Sequence, residues 1–337
     1  MSKAAGRPVG WREALKSRAM DPLRYAWLHL PPKQRTVREL AFHRYRFEVR
    51  RILRRHPSEF TVLRSRELAV GAESKVVALT LATNRPVQPA DLLYLWWRND
   101  PAAVATAPLA NLRDWYWTTP LPYRSSHLER SSAAEQAASI FDLGEGPAQP
   151  LSRTPRIEPR LYTVASASGK AVELHITTRR DWPKRASSYL ANARPGEKLT
   201  GWVFPHPHRL PRGPGFAVVT GSGAAAVFAA LRSGTSGVRL IWGLGDKRLE
   251  PWVSQELAGH EAQGALEKLT IVSSPKRVTD DLSEHREELI HLVRSGGWIY
   301  ISGNEAMGEA ADEVISGALG TDLHRAAYED LRYIVST

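Results

Sequence analysis

Arg160-Leu161-Tyr162-Thr163-Val164-Ala165-Ser166 is the stretch on which the reading of this chain turns. It reads as a β-strand, in which successive side chains point to opposite faces, so Arg160 and Tyr162 share one face while Leu161 and Thr163 take the other or sit at its rim. Arginine offers a planar fork of donors for a pyrophosphate, tyrosine a flat surface for a fused ring, and threonine a short hydroxyl for a ring nitrogen. Together they suit a flavin. The same residues also suit an ordinary strand, with a solvent-facing arginine beside a packed tyrosine.

Other segments fall in an order that favours the flavin. Upstream lies Pro89-Ala90-Asp91-Leu92-Leu93-Tyr94-Leu95-Trp96-Trp97-Arg98-Asn99-Asp100-Pro101. Downstream come Arg185-Ala186-Ser187-Ser188-Tyr189-Leu190, then Thr220-Gly221-Ser222-Gly223-Ala224-Ala225-Ala226, then Tyr300-Ile301-Ser302-Gly303-Asn304. These segments resemble the "PGD…VW…ND", "GxxSxxL", "GPGTGIAP" and "YVCGD" motifs of the ferredoxin-NADP reductase superfamily. The likeness is greatest to the FAD/NADPH half of the sulfite reductase flavoprotein component and of diflavin reductases, and it spans roughly Leu63 to Thr337.

Composition sets the frame. At 337 residues, 42% of them hydrophobic, the chain is long enough for about two domains with cores of their own. It contains no apolar run of about 18 residues and its N-terminus lacks a secretory core, so the expectation is a cytoplasmic protein with no membrane span. With no cysteine at all, disulfides, cysteine-ligated iron–sulfur clusters and a thiol nucleophile are excluded. Any electrons must then travel through an organic cofactor.

The net charge of +11 is local. Residues 1–56 hold 15 Lys and Arg against Glu13, Asp21, Glu39 and Glu48, and the remainder carries 31 of each sign. Within this arm Val37, Ala41, Tyr45, Val49 and Ile52 recur at helical spacing, which predicts a basic amphipathic helix. Such a helix either packs on the body of the protein or holds an acidic partner, nucleic acid or an anionic membrane. The resemblance implies an acidic, flavodoxin-like electron carrier; no nucleic-acid motif accompanies Trp11, Tyr25 and Trp27.

Three parts are expected: the arm at 1–56, an FAD-binding antiparallel β-barrel at 57–212 with a helical or irregular insert at about 101–157, and a Rossmann-like parallel-sheet domain at 213–337. Glu59 to Leu81 predicts short antiparallel strands, Arg160 to Ile176 a hairpin about Ser168-Gly169, and Leu199 to Phe204 a further strand. Pro205 to Gly215 reads as punctuation, and its His206 and His208, with no third ligand near, as loop residues. Beyond it strand and helix signals alternate, with helices at Ala224 to Leu231, Glu256 to Glu267, Glu284 to Arg294 and Glu305 to Leu319. Strands fall between them, a pattern that predicts a parallel sheet wrapped by helices.

The resemblance implies roles residue by residue. Arg160 would pair with the FAD pyrophosphate, with Leu161 beside it; Tyr162 would lie against the isoalloxazine, and Thr163 would stand near the reactive flavin nitrogen. Arg185, Ala186, Ser187 and Ser188 would receive phosphate at a helix N-terminus, and Thr177 and Thr178 would contact the adenine side. Gly221, Ser222 and Gly223 would form the pyridine-nucleotide loop, with Ser273, Lys276 and Arg277 at the 2′-phosphate of NADPH. Ala224 and Ala225 stand where the loop has a threonine and a third glycine. Ser302 and Asn304 replace the family's Cys and Asp near the nicotinamide. Tyr333 matches the C-terminal "RYxxDVY/W", in which Ser336 replaces the acid.

Two functions follow. One is an FAD-containing reductase that takes electrons from NADPH or NADH and passes them to a separate flavodoxin-like or haem partner. The other is an FAD-binding protein that has lost nicotinamide-driven turnover and serves as a specialised flavoenzyme or a partner subunit.

Overall fold

A computed structural model describes residues 57–96, 160–179, 186–204, 209–330 and 332–336. The basic arm, the 101–157 insert and Arg185 lie outside the described residues. These divide into a barrel unit, 57–96, 160–179, 186–204 and 247–250, and a sheet unit, 209–246, 251–330 and 332–336.

The barrel unit is antiparallel, and two of its strand pairs, Ser58–Val70 with Ser74–Thr83 and Arg160–Ser168 with Ala171–Arg179, are joined by tight turns. β1 (Ser58–Val70), β2 (Ser74–Thr83), β3 (Leu92–Leu95), β4 (Arg160–Ser168), β5 (Ala171–Arg179) and β6 (Lys198–Phe204) pair in the order β2-β5-β4-β3-β6-β1, and β1 returns to β2 to close the ring. Register shifts after Val62 and after Glu67 bend β1, letting one 13-residue strand pair with β6 at its start and β2 along its length. Phe60, Leu79, Leu81, Leu93, Val164 and Ile176 meet in the barrel core, and helix α1 (Ala186–Ala191) contributes Leu190 and Ala191 to it. The hairpin of β4 and β5 turns at Gly169, whose φ of 59° is costly for residues with a Cβ.

The sheet unit alternates strand and helix, as a parallel sheet requires. β7 (Gly215–Thr220), β8 (Val238–Gly245), β10 (Leu266–Ser273), β11 (Trp298–Ser302) and β12 (Tyr333–Ser336) run parallel in the order β10-β8-β7-β11-β12. Helices α2 (Ala225–Arg232), α3 (Pro251–Ala262), α4 (Val278–Leu282), α5 (Arg286–Arg294) and α6 (Glu305–Glu329) accompany them. One face of the sheet (Phe216, Val218, Ile241, Ile299, Ile301) packs on α4, α5 and α6 through Val278, Leu282, Leu289, Val293 and Ile315. On the other face Trp242 packs edge-on against Phe228 of α2, ring centroids 5.7 Å apart.

Besides α4 and β12, which it does not anticipate, three elements differ from the sequence reading. Helix α3 occupies Pro251–Ala262, because Leu266 and Glu267 belong to the edge strand β10, in which Leu266 pairs with Val238 of β8. Helix α6 continues past Leu319 to Glu329, although Gly320, at φ 73° and ψ 165°, interrupts it. The third is β9 (Arg248–Leu249), a two-residue strand that pairs with Ala69 and Val70 of β1, so Lys247–Glu250 belongs to the barrel unit although its neighbours in sequence do not. Among the described residues, no helix is long and apolar enough to cross a membrane.

Candidate functional site

The residues singled out by sequence gather in two places, one on each unit. On the barrel unit the first place is the open end of the β4–β5 hairpin. β4 pairs with β3 so that Leu93 lies opposite Tyr162 and Leu95 opposite Arg160, while Leu92 faces Thr163 and Tyr94 faces Leu161. Paired residues share a face, so Tyr162 is on the side of the core residues Leu93 and Leu95, and its half-buried ring packs on the barrel core. That burial pushes its hydroxyl pKa well above the ordinary value, with the nearby Arg160 opposing the shift. Arg160 and Leu161 are exposed, and Thr163 is half-buried. The strand is clamped immediately beyond Thr163, where the Ala90 amide donates to the Val164 carbonyl and the Val164 amide to the Asp91 carbonyl, both at 2.8 Å. The Asp91 carboxylate in turn accepts from the Gln88 amide.

Helix α1 sits beside this open end. Thr178, at the end of β5, and Ser188, in α1, are both buried, and their hydroxyls share a hydrogen bond of 2.9 Å. The bond ties α1 to the barrel, a structural task for two residues expected at the cofactor. Ser187 and Thr177 are half-buried, and Ala186 packs under Trp96. Trp96 follows Leu95, the partner of Arg160, and its indole also lies 6.3 Å from the Trp202 ring of β6. The sequence reading counts this residue in a motif but gives it no role at the site.

The second place is the C-terminal rim of the parallel sheet, where open α/β folds bind ligands. β7 ends at Thr220 and passes through a 3₁₀ turn, Gly221–Ala224, into α2. Gly221 has a φ of 52°, and its carbonyl accepts a hydrogen bond from the Trp242 indole at 3.0 Å. A methyl on Gly223 would come within 2.5 Å of the Ser302 carbonyl, and one on Gly303 would overlap the Thr220 hydroxyl and the Met307 methyl. The loops after β7 and β11 therefore interlock, bringing Gly221, Ser222 and Gly223 together with Ser302 and Asn304. Ala224 and Ala225 are buried in the helix–strand contact, which explains why small apolar residues stand there. Ser302 is buried as well, and the exposed Asn304 caps α6 by accepting from the Met307 amide at 2.8 Å.

Ser273 ends β10, Lys276 and Arg277 follow it on the same rim, and all three are exposed. The Arg277 amide donates to Asp280, which orders the turn that carries both cations.

Tyr333 is elsewhere. β12 pairs with β11 so that Tyr333 lies opposite Ile299, near the opposite end of the strands, and Ser336 lies opposite Ser302 at the rim. Its ring is buried against His324 and Tyr328, and its hydroxyl donates to Asp312 at 2.6 Å. Burial, reinforced by the Asp312 charge, raises its pKa well above the usual value. Tyr333 is thus a core residue, because parallel register carries its side chain under α6.

The donor set of the barrel site, an exposed guanidinium beside a half-buried ring and hydroxyl, fits a flavin dinucleotide. The rim of the sheet unit, with a close-packed glycine turn and two exposed cations, fits a phosphorylated nucleotide. No family model matches the sequence, and no curated protein matches it. Among solved structures the chain is similar to ferredoxin-NADP+ reductase from Plasmodium falciparum, at 12% identity over 83% of this chain and 96% of that one, with a TM-score of 0.55. The reductase of that organism with 2'P-AMP gives 12% identity, the same coverage and a TM-score of 0.53. The likeness is one of fold: an antiparallel barrel and a parallel sheet with helices.

Proposed function

We propose that the protein binds FAD on the barrel unit and NADPH or NADH on the sheet unit, and acts as a flavoprotein reductase that passes electrons to a separate flavodoxin-like or haem partner. The observation that carries the reading is that the exposed Arg160 and the half-buried Tyr162 share one face of β4 at the open end of one hairpin, with Thr163 beside Tyr162 in the strand and on the opposite face. Fold likeness to a ferredoxin-NADP+ reductase, and to a form of it with 2'P-AMP, supports it. In this reading residues 57–212 are the FAD domain and 213–337 the nucleotide domain, in the manner of the sulfite reductase flavoprotein module.

Bound FAD would supply the redox chemistry, taking electrons in pairs and releasing them singly. The chain's own residues bind and orient. Arg160 neutralises pyrophosphate charge, with Ser187 and Arg185 as further phosphate contacts, while Tyr162 offers the uncovered part of its ring and Thr163 its hydroxyl to the flavin. Ser273, Lys276 and Arg277 meet nucleotide phosphate. The arm at 1–56 docks an acidic carrier through its excess of positive charge.

A second reading has its own support. Ser302 is packed against Gly223, Asn304 is engaged as a helix cap and Tyr333 is in the core, so two groups expected near the nicotinamide and one expected near the flavin have structural work. In that reading FAD binds but nicotinamide does not reduce it. An anaerobic absorbance spectrum tests both. Yellow protein that bleaches with NADPH or NADH supports the reductase, yellow protein that bleaches with neither supports the second reading, and colourless protein that takes up no added FAD overturns both.

A further inference from the structure

Trp242 does more than fill the sheet unit. It is completely buried in β8, and the register sets it opposite Val219, two residues before the glycine turn, and opposite Ile271, two residues before Ser273. Trp242 thus stands beneath both segments of the rim that carry candidate nucleotide contacts. Its indole N–H donates to the carbonyl of Gly221, a residue held at a φ of 52°. A carbonyl at the head of a strand-to-helix turn presents negative charge to an anionic ligand if it faces outward. Drawn inward by a buried donor, it leaves the rim to amide groups, which favour anions.

The ring is held in turn. Phe228 of α2 meets it edge-on, Arg232 lies 5.1 Å over Phe228, and Arg232 forms a two-pronged ion pair with Glu256 of α3 at 2.6 and 3.0 Å. The indole is therefore fixed by contacts that reach α2 and α3, and it passes that fixity to the turn.

We infer that Trp242 is a positioning residue for the pyrophosphate of a pyridine nucleotide, acting through the Gly221 carbonyl. The inference rests on the proposed use of the nucleotide by this rim. It separates two ligands. NADP+ carries the pyrophosphate that meets the turn, whereas 2′-phospho-AMP carries only the adenosine end. Trp242→Phe keeps an aromatic ring and removes the donor, so it should weaken NADP+ roughly three- to tenfold, the worth of one hydrogen bond, and leave 2′-phospho-AMP unchanged. Phe228→Leu, which loosens the packing that holds the ring while keeping the donor, should lower the melting temperature, weaken NADP+ less than Trp242→Phe does, and leave 2′-phospho-AMP unchanged.

Binding would be followed by calorimetry on the full-length protein, with NAD+ run in parallel. Wild type that binds neither NADP+ nor NAD+ overturns the nucleotide reading, and the inference with it. Wild type that binds, with W242F binding as tightly, overturns the inference alone, as does an equal weakening of NADP+ and 2′-phospho-AMP. A second measurement needs no variant: in isotope-labelled wild type the Trp242 indole N–H resonance should shift with NADP+ and stay in place with 2′-phospho-AMP. An unmoved resonance overturns the inference.

Discussion

The Ala90 amide donates to the Val164 carbonyl at 2.8 Å while Ala90 itself holds a φ of 67°, the left-handed region that a Cβ disfavours. Left-handed backbone costs an L-residue about 1–2 kcal/mol, and this strain sits one residue before Asp91, which clamps β4 just beyond Thr163. Ala90→Gly relieves it, at the cost of more chain entropy in the unfolded state. The expected balance is a gain of about 0.5–1 kcal/mol, read as a rise in melting temperature. A fall in stability would show that the alanine methyl packs to more advantage than the strain costs.

Arg160 is the exposed cation of the barrel site. Arg160→Ala should reduce FAD content severalfold while leaving the unfolding free energy of the apoprotein within about 0.5 kcal/mol, as for other surface changes. Thr163→Ala should retain FAD and shift its absorbance or potential instead, since it removes one hydrogen-bonding hydroxyl near the ring. Flavin released by denaturation and measured by absorbance checks both. Full occupancy in R160A would remove Arg160 from the site.

Tyr333→Phe should destabilise the sheet unit by about 1–3 kcal/mol, because it leaves the Asp312 carboxylate without its 2.6 Å donor. It should leave FAD content and the rate of nicotinamide-driven bleaching unaltered. Urea unfolding and stopped-flow absorbance measure the two effects separately. A change in bleaching at unaltered stability would return Tyr333 to the chemistry.

Glu288 gives the sheet unit a pH dependence. Burial works against its ionisation, but hydrogen bonds from Arg239 and His285 outweigh burial and hold its folded pKa below the ordinary value. A depressed carboxylate stabilises the fold fully above its unfolded pKa, and the contribution drains away as pH falls through the folded one. Glu288→Gln should therefore cost roughly 1 kcal/mol near neutrality, a partly exposed pair being screened by solvent. That difference should vanish in acid. Denaturant melts of both proteins across the acid range check it, and a difference independent of pH would assign the loss to packing.

Much of the fold was legible in the sequence because its signals are local. The β4–β5 hairpin about Ser168-Gly169 and strand β11 follow from short apolar stretches and a turn residue. The parallel sheet follows from strands alternating with helices. β9 escaped notice because two residues, Arg248 and Leu249, carry no period of their own and form a strand only by meeting Ala69 and Val70. The end of α3 escaped because Leu266 and Glu267 fit a helix or a strand until pairing with β8 decides.

The candidate site divides in the same way. Residue type and order by themselves determined that Arg160, Tyr162 and Thr163 share one strand, that a glycine turn opens α2, and that charge is concentrated in residues 1–56. Tertiary structure alone decided what each side chain faces. It turned Ser188 toward Thr178 and Tyr333 toward Asp312, and it placed Ser336 beside Ser302 and the Trp242 indole under Gly221. Sequence order determines which residues are near along the chain. Strand register and buried hydrogen bonding, which depend on partners many residues away, determine which of them remain available to a ligand.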